Sequence, residues 1–580
     1  MSRSPRTQPC LQRWPITASH PPCQTRSFPR DVSFRPFPRL SVHTMTAPRG
    51  SQPHQRPAGQ THLPPTSLRR QLRPEGSELR PVPGSGSSPA GSEALGRGSR
   101  SEGSREGPGA SRSSPELGGR AAPPLPAAAA MEPRRAACLL PLLVAVASAG
   151  LGGYFGTKSR YEEVNPHLAE DPLSLGPHAA AARLPAACAP LQLRAVLRHG
   201  TRYPTAGQIR RLAELHGRLR RAASPSCPAA AALAAWPMWY EESLDGRLAP
   251  RGRRDMEHLA RRLAARFPAL FAARRRLALA SSSKHRCLQS GAAFRRGLGP
   301  SLSLGADETE IEVNDALMRF FDHCDKFVAF VENNDTAMYQ VNAFKQGPEM
   351  RKVLEKVASA LCLPASELNA DLVQVAFLTC SYELAIKNVT SPWCSLFSEE
   401  DAKVLEYLND LKQYWKRGYG YDINSRSSCI LFQDIFQQLD KAVDESRSSK
   451  PISSPLIVQV GHAETLQPLL ALMGFFKDSE PLRANNYVRQ AHRKFRSGRI
   501  VPYAANLVFV LYHCDQAKTS KEEYQVQMLL NEKLMLFHHS NETISTYADL
   551  KSYYKDILQN CHFEEECELP KFNGTVTDEL

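Results

Sequence analysis

The stretch Arg198–Thr205 places one histidine between two arginines, directly after the apolar run Leu191–Leu197. An imidazole is a nucleophile, and planar guanidinium groups match the oxygens of a phosphate group. These residue types at this spacing indicate attack on a phosphate ester. His199 would be the nucleophile, and Arg198 and Arg202 would hold the phosphate. The alternative is a basic surface loop that contains a histidine.

A second stretch, His462-Ala463-Glu464, follows another apolar run, residues 455–461. Cleavage of a phosphate ester also needs an acid that protonates the leaving oxygen. In an extended backbone, residues two apart project to the same side. We therefore expect one of these side chains to contact the phosphate while the other donates the proton. The alternative is a helix that begins after the strand, where Glu464 would complement the helix dipole.

Further basic residues could extend the phosphate site. Arg286 follows a short strand-like run, and the neighbouring Lys284 is a candidate substrate contact. A basic cluster also follows Glu464, and within it Arg493 and Lys494 are candidates for substrate capture. The order of that cluster is more typical of a solvated basic helix and loop. Its members are Arg483, Arg489, Arg493, Lys494, Arg496 and Arg499.

Several apolar runs predict the strands of one sheet, and the segments between them predict helices. The strand runs are residues 191–197, 276–281, 455–461 and 506–512, and the clearest helical patterns are residues 252–270, 350–361 and 401–414. Open α/β sheets bind ligands where their strands end, so we expect the first motif at that edge. We predict an α/β fold with a sheet domain built from residues 160–300 and 451–545. Residues 301–450 would form a mainly α-helical insertion over the active edge.

The octapeptide Arg198–Thr205 resembles the signature of the histidine acid phosphatases. Within that family, His462-Ala463-Glu464 is similar to the variant of the multiple inositol polyphosphate phosphatases. The resemblance implies a phosphoglycerate-mutase-like sheet domain flanked by helices, with a mainly α-helical inserted cap. It also implies a phosphohistidine at His199.

By the same resemblance, Glu464 is the proton donor, and Arg198, Arg202, Arg286 and His462 bind the phosphoryl group. The implied substrates are inositol polyphosphates, and 2,3-bisphosphoglycerate is a further expectation. We expect no metal and no cofactor, because the arginines supply the charge that a metal ion would.

Three competing functions remain open at this point. One is a histidine acid phosphatase that acts on lysophospholipids or phosphoproteins. Another is a lumenal binding protein that has the fold without turnover. The third is a basic nucleic-acid binder, and it depends on the charge of the first 130 residues.

Residues 1–130 predict a disordered, low-complexity extension. They contain 22 of the 45 prolines and no lysine, and their 18 arginines against 7 acidic residues carry +11 of the net charge of +15. Such a composition cannot bury enough apolar surface to fold. Residues 131–149 then have the basic start, short apolar run and Ala-x-Ala end of a signal peptide, so we expect Met131 to be the physiological start. We therefore expect neither nucleic-acid binding nor a stable membrane anchor.

Other features predict the lumen of the endoplasmic reticulum, with partial secretion. The chain ends in Thr577-Asp578-Glu579-Leu580, which resembles a signal read by a retrieval receptor. Sequons at Asn334, Asn388, Asn541 and Asn573 predict glycosylation. Eleven cysteines follow residue 149, so at least one thiol stays free or pairs with another chain. Cys561 and Cys567 could close a small loop in a C-terminal tail, residues 546–580.

Overall fold

The computed structural model describes residues 150–177, 187–222, 226–272, 275–302 and 310–570. The extension 1–130, the signal segment 131–149, Asn573 and the retrieval tetrapeptide 577–580 lie outside the described residues.

A mixed sheet of eight strands forms the centre of the described chain. Four strands run parallel in the order β3-β2-β4-β1, and β5, β6 and β7 continue the sheet in antiparallel fashion, with β8 paired to β6. The strands are β1 Cys188–Arg198, β2 Leu277–Ser281, β3 Glu312–Val313, β4 Leu456–Gly461, β5 Asn506–Cys514, β6 Tyr524–Leu530, β7 Lys533–Leu534 and β8 Ile544–Thr546. The four strand predictions are confirmed, and the α/β fold class with them.

The pairing register brings the ends of three parallel strands to one edge of the sheet. Arg198 of β1 pairs with Gly461 of β4, and Ser281 of β2 pairs with Val460 of the same strand. Strand β5 runs the opposite way, so its first residue, Asn506, also lies at this edge, opposite Leu197. The residues that follow β1, β2 and β4 therefore meet the segment that precedes β5.

Helices occupy most of the remaining described chain. The described chain between β3 and β4 consists mainly of helices, and we call this segment the insertion. The helices are α1 Ala206–Ala222, α2 Pro228–Ala235, α3 Pro250–Arg266, α4 His285–Leu302, α5 Asp315–Met318, α6 Asp325–Phe327, α7 Tyr339–Lys345, α8 Pro348–Leu361, α9 Ala370–Lys387, α10 Glu399–Arg417, α11 Asp422–Arg426, α12 Cys429–Arg447, α13 Ala463–Leu472, α14 Ser497–Ile500, α15 Tyr547–Tyr553, α16 Lys555–Gln559 and α17 Phe563–Cys567. Among the described residues, no helix is both long and apolar enough to cross a membrane.

The two faces of the sheet are buried by different groups of helices. Strand β1 shows this by alternation, because successive side chains of a strand point to opposite faces. Leu193 and Leu197 join a core with apolar residues of α3 and α4. Val196, between them, joins a larger core with the helices of the insertion. Burial on both faces fixes the register of β1, and thus the position of the motif that follows it.

Five disulfides cross-link the described chain, and four of them join positions more than 130 residues apart. They are Cys188–Cys514, Cys227–Cys362, Cys324–Cys567, Cys380–Cys394 and Cys429–Cys561. Cys561 and Cys567, which could have closed a small loop, do not pair with each other, because each is bonded to a cysteine of the insertion. The expected C-terminal tail is therefore folded as far as α17. The odd cysteine is Cys287, which is free and buried.

Candidate active site

His199 directly follows β1, and one hydrogen bond of its ring decides which ring nitrogen carries the proton. Its backbone N–H donates to the carbonyl of Gly461 (3.1 Å) and its ring Nδ1 lies 2.9 Å from the carbonyl of Gly200. A carbonyl oxygen only accepts, so Nδ1 carries the proton and Nε2 holds the lone pair. The side chain is 3% exposed. Burial, then Arg286 and Arg198, hold the pKa of His199 well below its ordinary value, so the imidazole is neutral.

The loop after His199 is held by close backbone contact with α3. A Cβ atom on Gly200 would lie 2.2 Å from the carbonyl oxygen of Gly252, and one on Gly252 would lie 2.1 Å from the carbonyl oxygen of Thr201. Only glycine fits at such distances. The hydroxyl of Thr201 also donates to Asp255 of α3 (2.6 Å). The nucleophile therefore stands on a rigid loop.

The three predicted phosphate arginines converge on this loop. Nη1 of Arg198 donates to the carbonyl of Val501 (2.5 Å), and Nη1 of Arg202 donates to the carbonyl of Tyr203 (2.7 Å). Burial lowers the pKa of Arg198 to about 10, with Arg202 and Arg286 acting in the same direction. The Nε atoms of Arg198 and Arg286 make no hydrogen bond within the described residues. These guanidinium groups repel one another and keep donors free for an anion.

His462 follows β4 and lies against His199, with ring centroids 5.7 Å apart. Nη2 of Arg286 lies 3.2 Å from Nδ1 of His462, and Oγ of Ser282 lies 2.9 Å from its Nε2. Because arginine only donates, Nδ1 accepts and Nε2–H donates to the serine. Burial, followed by Arg286, lowers the pKa of His462 to about 3. The structure thus brings the two predicted histidines and all three arginines together.

Glu464 sits in the first turn of α13, and the extended geometry predicted for residues 462–464 is wrong. His462 ends the extended backbone, and its N–H donates to the hydroxyl of Thr465 (2.9 Å) as the helix begins. Burial would raise the pKa of Glu464, but Arg417 and then His462 hold it well below its ordinary value. The side chain is therefore a carboxylate while no anion is bound. A bound phosphate adds negative charge beside it and raises its proton affinity.

Three further cations act electrostatically on this site, and nothing in the sequence pattern singled them out. Burial, then Arg202 and Arg198, hold the pKa of Lys158 well below its ordinary value. Lys412 lowers it further, and Arg417 acts on Glu464 from the end of α10. Lys158 precedes the nucleophile by a long segment, and the other two come from the insertion. Only the folded chain brings them together.

The other predicted substrate contacts lie in different surroundings. Nε of Arg493 donates to Asp410 (2.9 Å) and its Nη2 donates to Glu406 (3.0 Å), and all three side chains are buried. Arg493 is therefore neither solvated, as its cluster predicted, nor free to hold a ligand. Lys284 and Lys494 are exposed. No group of three or more His, Cys, Asp or Glu side chains in the described chain could hold a metal ion.

The arrangement suits transfer of a phosphoryl group to His199. A neutral imidazole presents its lone pair within a group of buried cations, which stabilise negative charge on the phosphoryl oxygens. Glu464 provides a group that can carry a proton to or from an oxygen atom.

Comparison with known proteins agrees with this geometry. The model of the histidine phosphatase superfamily (branch 2) matches residues 191–531. Multiple inositol polyphosphate phosphatase 1 of Gallus gallus is 96% identical over 450 residues, which cover 78% of this chain and 100% of that protein. The protein of the same name from Homo sapiens is 59% identical over 451 residues, covering 75% of this chain and 92% of that protein.

Two solved structures share the fold. The multiple inositol polyphosphate phosphatase of Bifidobacterium longum, in complex with inositol hexasulfate, aligns with a TM-score of 0.55 at 16% identity, covering 69% of this chain and 97% of that one. The phytase of D. castellii aligns with a TM-score of 0.57 at 18% identity, covering 67% and 83%.

The fold and the site define a histidine phosphatase of branch 2, and the chain belongs to that superfamily. Within the superfamily it is a multiple inositol polyphosphate phosphatase, as the resemblance of its two motifs implied. The chain is accordingly a phosphoric monoester hydrolase.

Proposed function

We propose that this enzyme hydrolyses inositol polyphosphates at the site around His199. The observation that carries the proposal is the set of mutually repelling cations in that site. Burial and neighbouring cations lower the pKa of Lys158, Arg198 and Arg286, and two guanidinium Nε atoms have no partner among the described residues. A phosphate group relieves the repulsion and accepts from the free donors.

The reaction proceeds in two steps with the proton and the electron pairs accounted for. Glu464 takes up a proton from solvent as the negatively charged substrate binds beside it. Nε2 of His199 forms a bond to phosphorus while the bond to the inositol oxygen breaks, and that oxygen takes the proton from Glu464. The carboxylate of Glu464 then removes a proton from water, whose oxygen attacks phosphorus. The bond from phosphorus to Nε2 breaks, which releases inorganic phosphate and restores the neutral imidazole.

A substrate with several phosphates suits the wider arrangement of cations. Arg198, Arg202 and Arg286 surround the reacting phosphoryl group, and Lys158 and Lys412 extend the positive charge beyond it. Neighbouring phosphates of one inositol ring would meet these outer cations. The named relatives are inositol polyphosphate phosphatases, which supports the same substrate class here.

Phosphate release from a panel of substrates tests the proposal. We expect the purified enzyme to release phosphate from inositol hexakisphosphate, and we expect His199→Ala to release none above background. The panel includes 2,3-bisphosphoglycerate as the further proposed substrate. It also includes a lysophospholipid phosphate and a phosphopeptide, which stand for the competing histidine acid phosphatase function.

Three results would contradict parts of this assignment. Equal release by the wild type and His199→Ala would remove the phosphohistidine. Preference for the lysophospholipid or the phosphopeptide would replace the substrate class. Tight binding of inositol hexakisphosphate without turnover would favour a lumenal binding protein.

We further propose that the enzyme resides in the lumen of the endoplasmic reticulum and is partly secreted. The signal-like segment 131–149 and the C-terminal tetrapeptide 577–580 support this location. The five disulfides support an oxidising compartment. Asn388 and Asn541 are exposed and Asn334 is half-buried, which supports glycosylation at the exposed sequons.

Deletion of residues 577–580 tests the location and the retrieval receptor together. We expect the protein expressed from Met131, with the signal-like segment at its N-terminus, to stay mainly in cells with glycans that endoglycosidase H removes. The deletion variant should appear in the medium with resistant glycans. Equal secretion of both forms would contradict retrieval, and absence of glycans from both would contradict lumenal entry.

A further inference from the structure

Tyr503 lies in the segment before β5, and backbone hydrogen bonds hold it on both sides of the active loop. The N–H of Arg198 donates to the carbonyl of Ala505 (2.7 Å), and the N–H of Ala504 donates to the carbonyl of His199 (3.1 Å). The N–H of Tyr503 itself donates to the carbonyl of Ser159 (3.1 Å). The backbone of Tyr503 is thus tied to the backbone of the nucleophile.

The ring of Tyr503 borders both groups that would act on phosphorus. Its centroid lies 4.7 Å from the guanidinium carbon of Arg198 and 6.2 Å from the ring centroid of His199. The side chain is 0% exposed. A cation placed over an aromatic face is attracted to it, so the ring fixes the guanidinium of Arg198.

The hydroxyl of Tyr503 has no hydrogen-bond partner among the residues that the structure describes. The neighbouring Tyr382 helps to raise the pKa of Tyr503, and the hydroxyl of Tyr382 donates its own proton to Oε1 of Gln208 (2.9 Å). Burial is the main cause that raises the pKa of Tyr503, so the hydroxyl keeps its proton. Buried hydroxyls normally find a partner.

The surroundings of this hydroxyl favour an anionic partner. Arg198 and Arg202 both act electrostatically on Tyr503, and guanidinium groups offer donors but no acceptor. A protonated hydroxyl beside two arginines is therefore placed to donate to an oxygen of a ligand that those arginines also bind. In this site that ligand is the phosphoryl group.

We propose that Tyr503 is a catalytic residue whose hydroxyl donates a hydrogen bond to an oxygen of the phosphoryl group held by Arg198 and Arg202. The inference rests on the function proposed above. It adds a neutral hydrogen-bond donor to the cations of the phosphate site. The bond strengthens as negative charge grows on the oxygens during transfer to His199. The ring keeps Arg198 in place at the same time.

Tyr503→Phe removes the hydroxyl and keeps the ring over Arg198. We expect kcat/KM for inositol hexakisphosphate to fall about ten- to hundredfold, as for loss of a hydrogen bond to a charged group. Inhibition by vanadate, which imitates the pentacoordinate phosphoryl group, should weaken by a similar factor. The melting temperature should stay equal or rise, because a buried hydroxyl without a partner is removed.

Tyr512→Phe is the matched control, because Tyr512 is also buried but its hydroxyl donates to Oε1 of Gln527 (2.9 Å) on the neighbouring strand β6. We expect Tyr512→Phe to lower the melting temperature and to leave kcat/KM unchanged. Wild-type kcat/KM in Tyr503→Phe would overturn the proposal. A loss of activity that parallels a fall in melting temperature would also overturn it, since the role would then be structural. If His199→Ala retains activity, the proposed function itself fails, whatever Tyr503→Phe does.

Discussion

His199 and His462 stay neutral far into the acidic range because of where they lie. Burial and nearby guanidinium groups lower the pKa of both rings, to about 3 for His462. A nucleophile must keep its lone pair, and protonation would remove it. Since the neutral form persists well below an ordinary histidine pKa, the nucleophile remains competent at acidic pH.

The role of Glu464 depends on the leaving group, and this gives the first prediction. An inositol oxygen is a poor leaving group that must be protonated as it departs, whereas the oxygen of p-nitrophenol leaves readily as an anion. We expect Glu464→Gln to lower kcat for inositol hexakisphosphate about 10²- to 10⁴-fold. The loss with p-nitrophenyl phosphate should be much smaller, as measured by phosphate release from both substrates. Equal losses with the two substrates would show that Glu464 acts in another way.

Arg417 sets the charge of Glu464, so its removal should change the pH profile. Its guanidinium opposes the effect of burial and holds the pKa of Glu464 low. Without that cation the pKa of Glu464 rises, and the protonated acid persists to higher pH. We expect the alkaline limb of kcat against pH to move to higher pH in Arg417→Met. Arg417→Lys keeps the charge and should retain a limb close to that of the wild type, and a limb that moves equally in both variants would contradict this electrostatic role.

The strands that position the site could be predicted because each obeys a local rule. Apolar runs predicted β1, β2, β4 and β5, and the motifs immediately after β1 and β4 then fell at a ligand-binding edge. The antiparallel strand β6 was missed, although its residues Tyr524–Leu530 are mostly buried. Two polar glutamines interrupt its apolar pattern, and Gln527 is buried by accepting from the hydroxyl of Tyr512. Whether these residues form a strand depends on long-range pairing with β5, which the local sequence pattern does not encode.

The cations missed by sequence reasoning lie on separate elements. Lys158 comes from the segment before β1, and Lys412 and Arg417 come from α10. A lysine or arginine in isolation is most often a solvated surface residue, so no local signal distinguishes these three. Their placement follows from long-range packing, in which the segment that ends at Lys158 contacts α10.

Arg493 was a candidate substrate contact from the sequence, but in the structure it links α10 to the segment before β5. This link gives a prediction about stability. The guanidinium of Arg493 bridges the buried carboxylates of Asp410 and Glu406, so Arg493→Ala leaves Asp410 without a cation, whereas Glu406 keeps Arg496. We expect a loss of about 3–5 kcal/mol in the free energy of unfolding, measured by denaturant titration. The KM for inositol hexakisphosphate should stay unchanged. Lys494→Ala, at the exposed neighbouring position, should change neither quantity, and a higher KM in Arg493→Ala with unaltered stability would assign Arg493 to the substrate.

At the scale of the molecule, net charge is a poor guide to function and local charge is a good one. The first 130 residues carry +11 of the +15, yet the phosphate site is assembled from cations in the remaining, nearly neutral part. A few buried positive groups at one sheet edge create a stronger attraction for an anion than many solvated ones, because water and salt screen the latter. The folded enzyme therefore carries an unfavourable concentration of charge until a ligand binds.

Thermal stability with and without a ligand tests this view of the whole enzyme. Inositol hexasulfate resists hydrolysis, so it can occupy the site without turnover. At 100 times its dissociation constant it should stabilise the fold by about 2.7 kcal/mol and raise the melting temperature by roughly 3–5 °C. The rise should shrink at high salt, since added ions weaken binding at a fixed ligand concentration.

Lys158→Met removes a cation whose charged form is disfavoured in the folded state. This variant should therefore melt at a higher temperature than the wild type without ligand, and its melting temperature should rise less when the ligand binds. A lower melting temperature of Lys158→Met with an undiminished ligand effect would show that Lys158 is not part of the repelling group of cations.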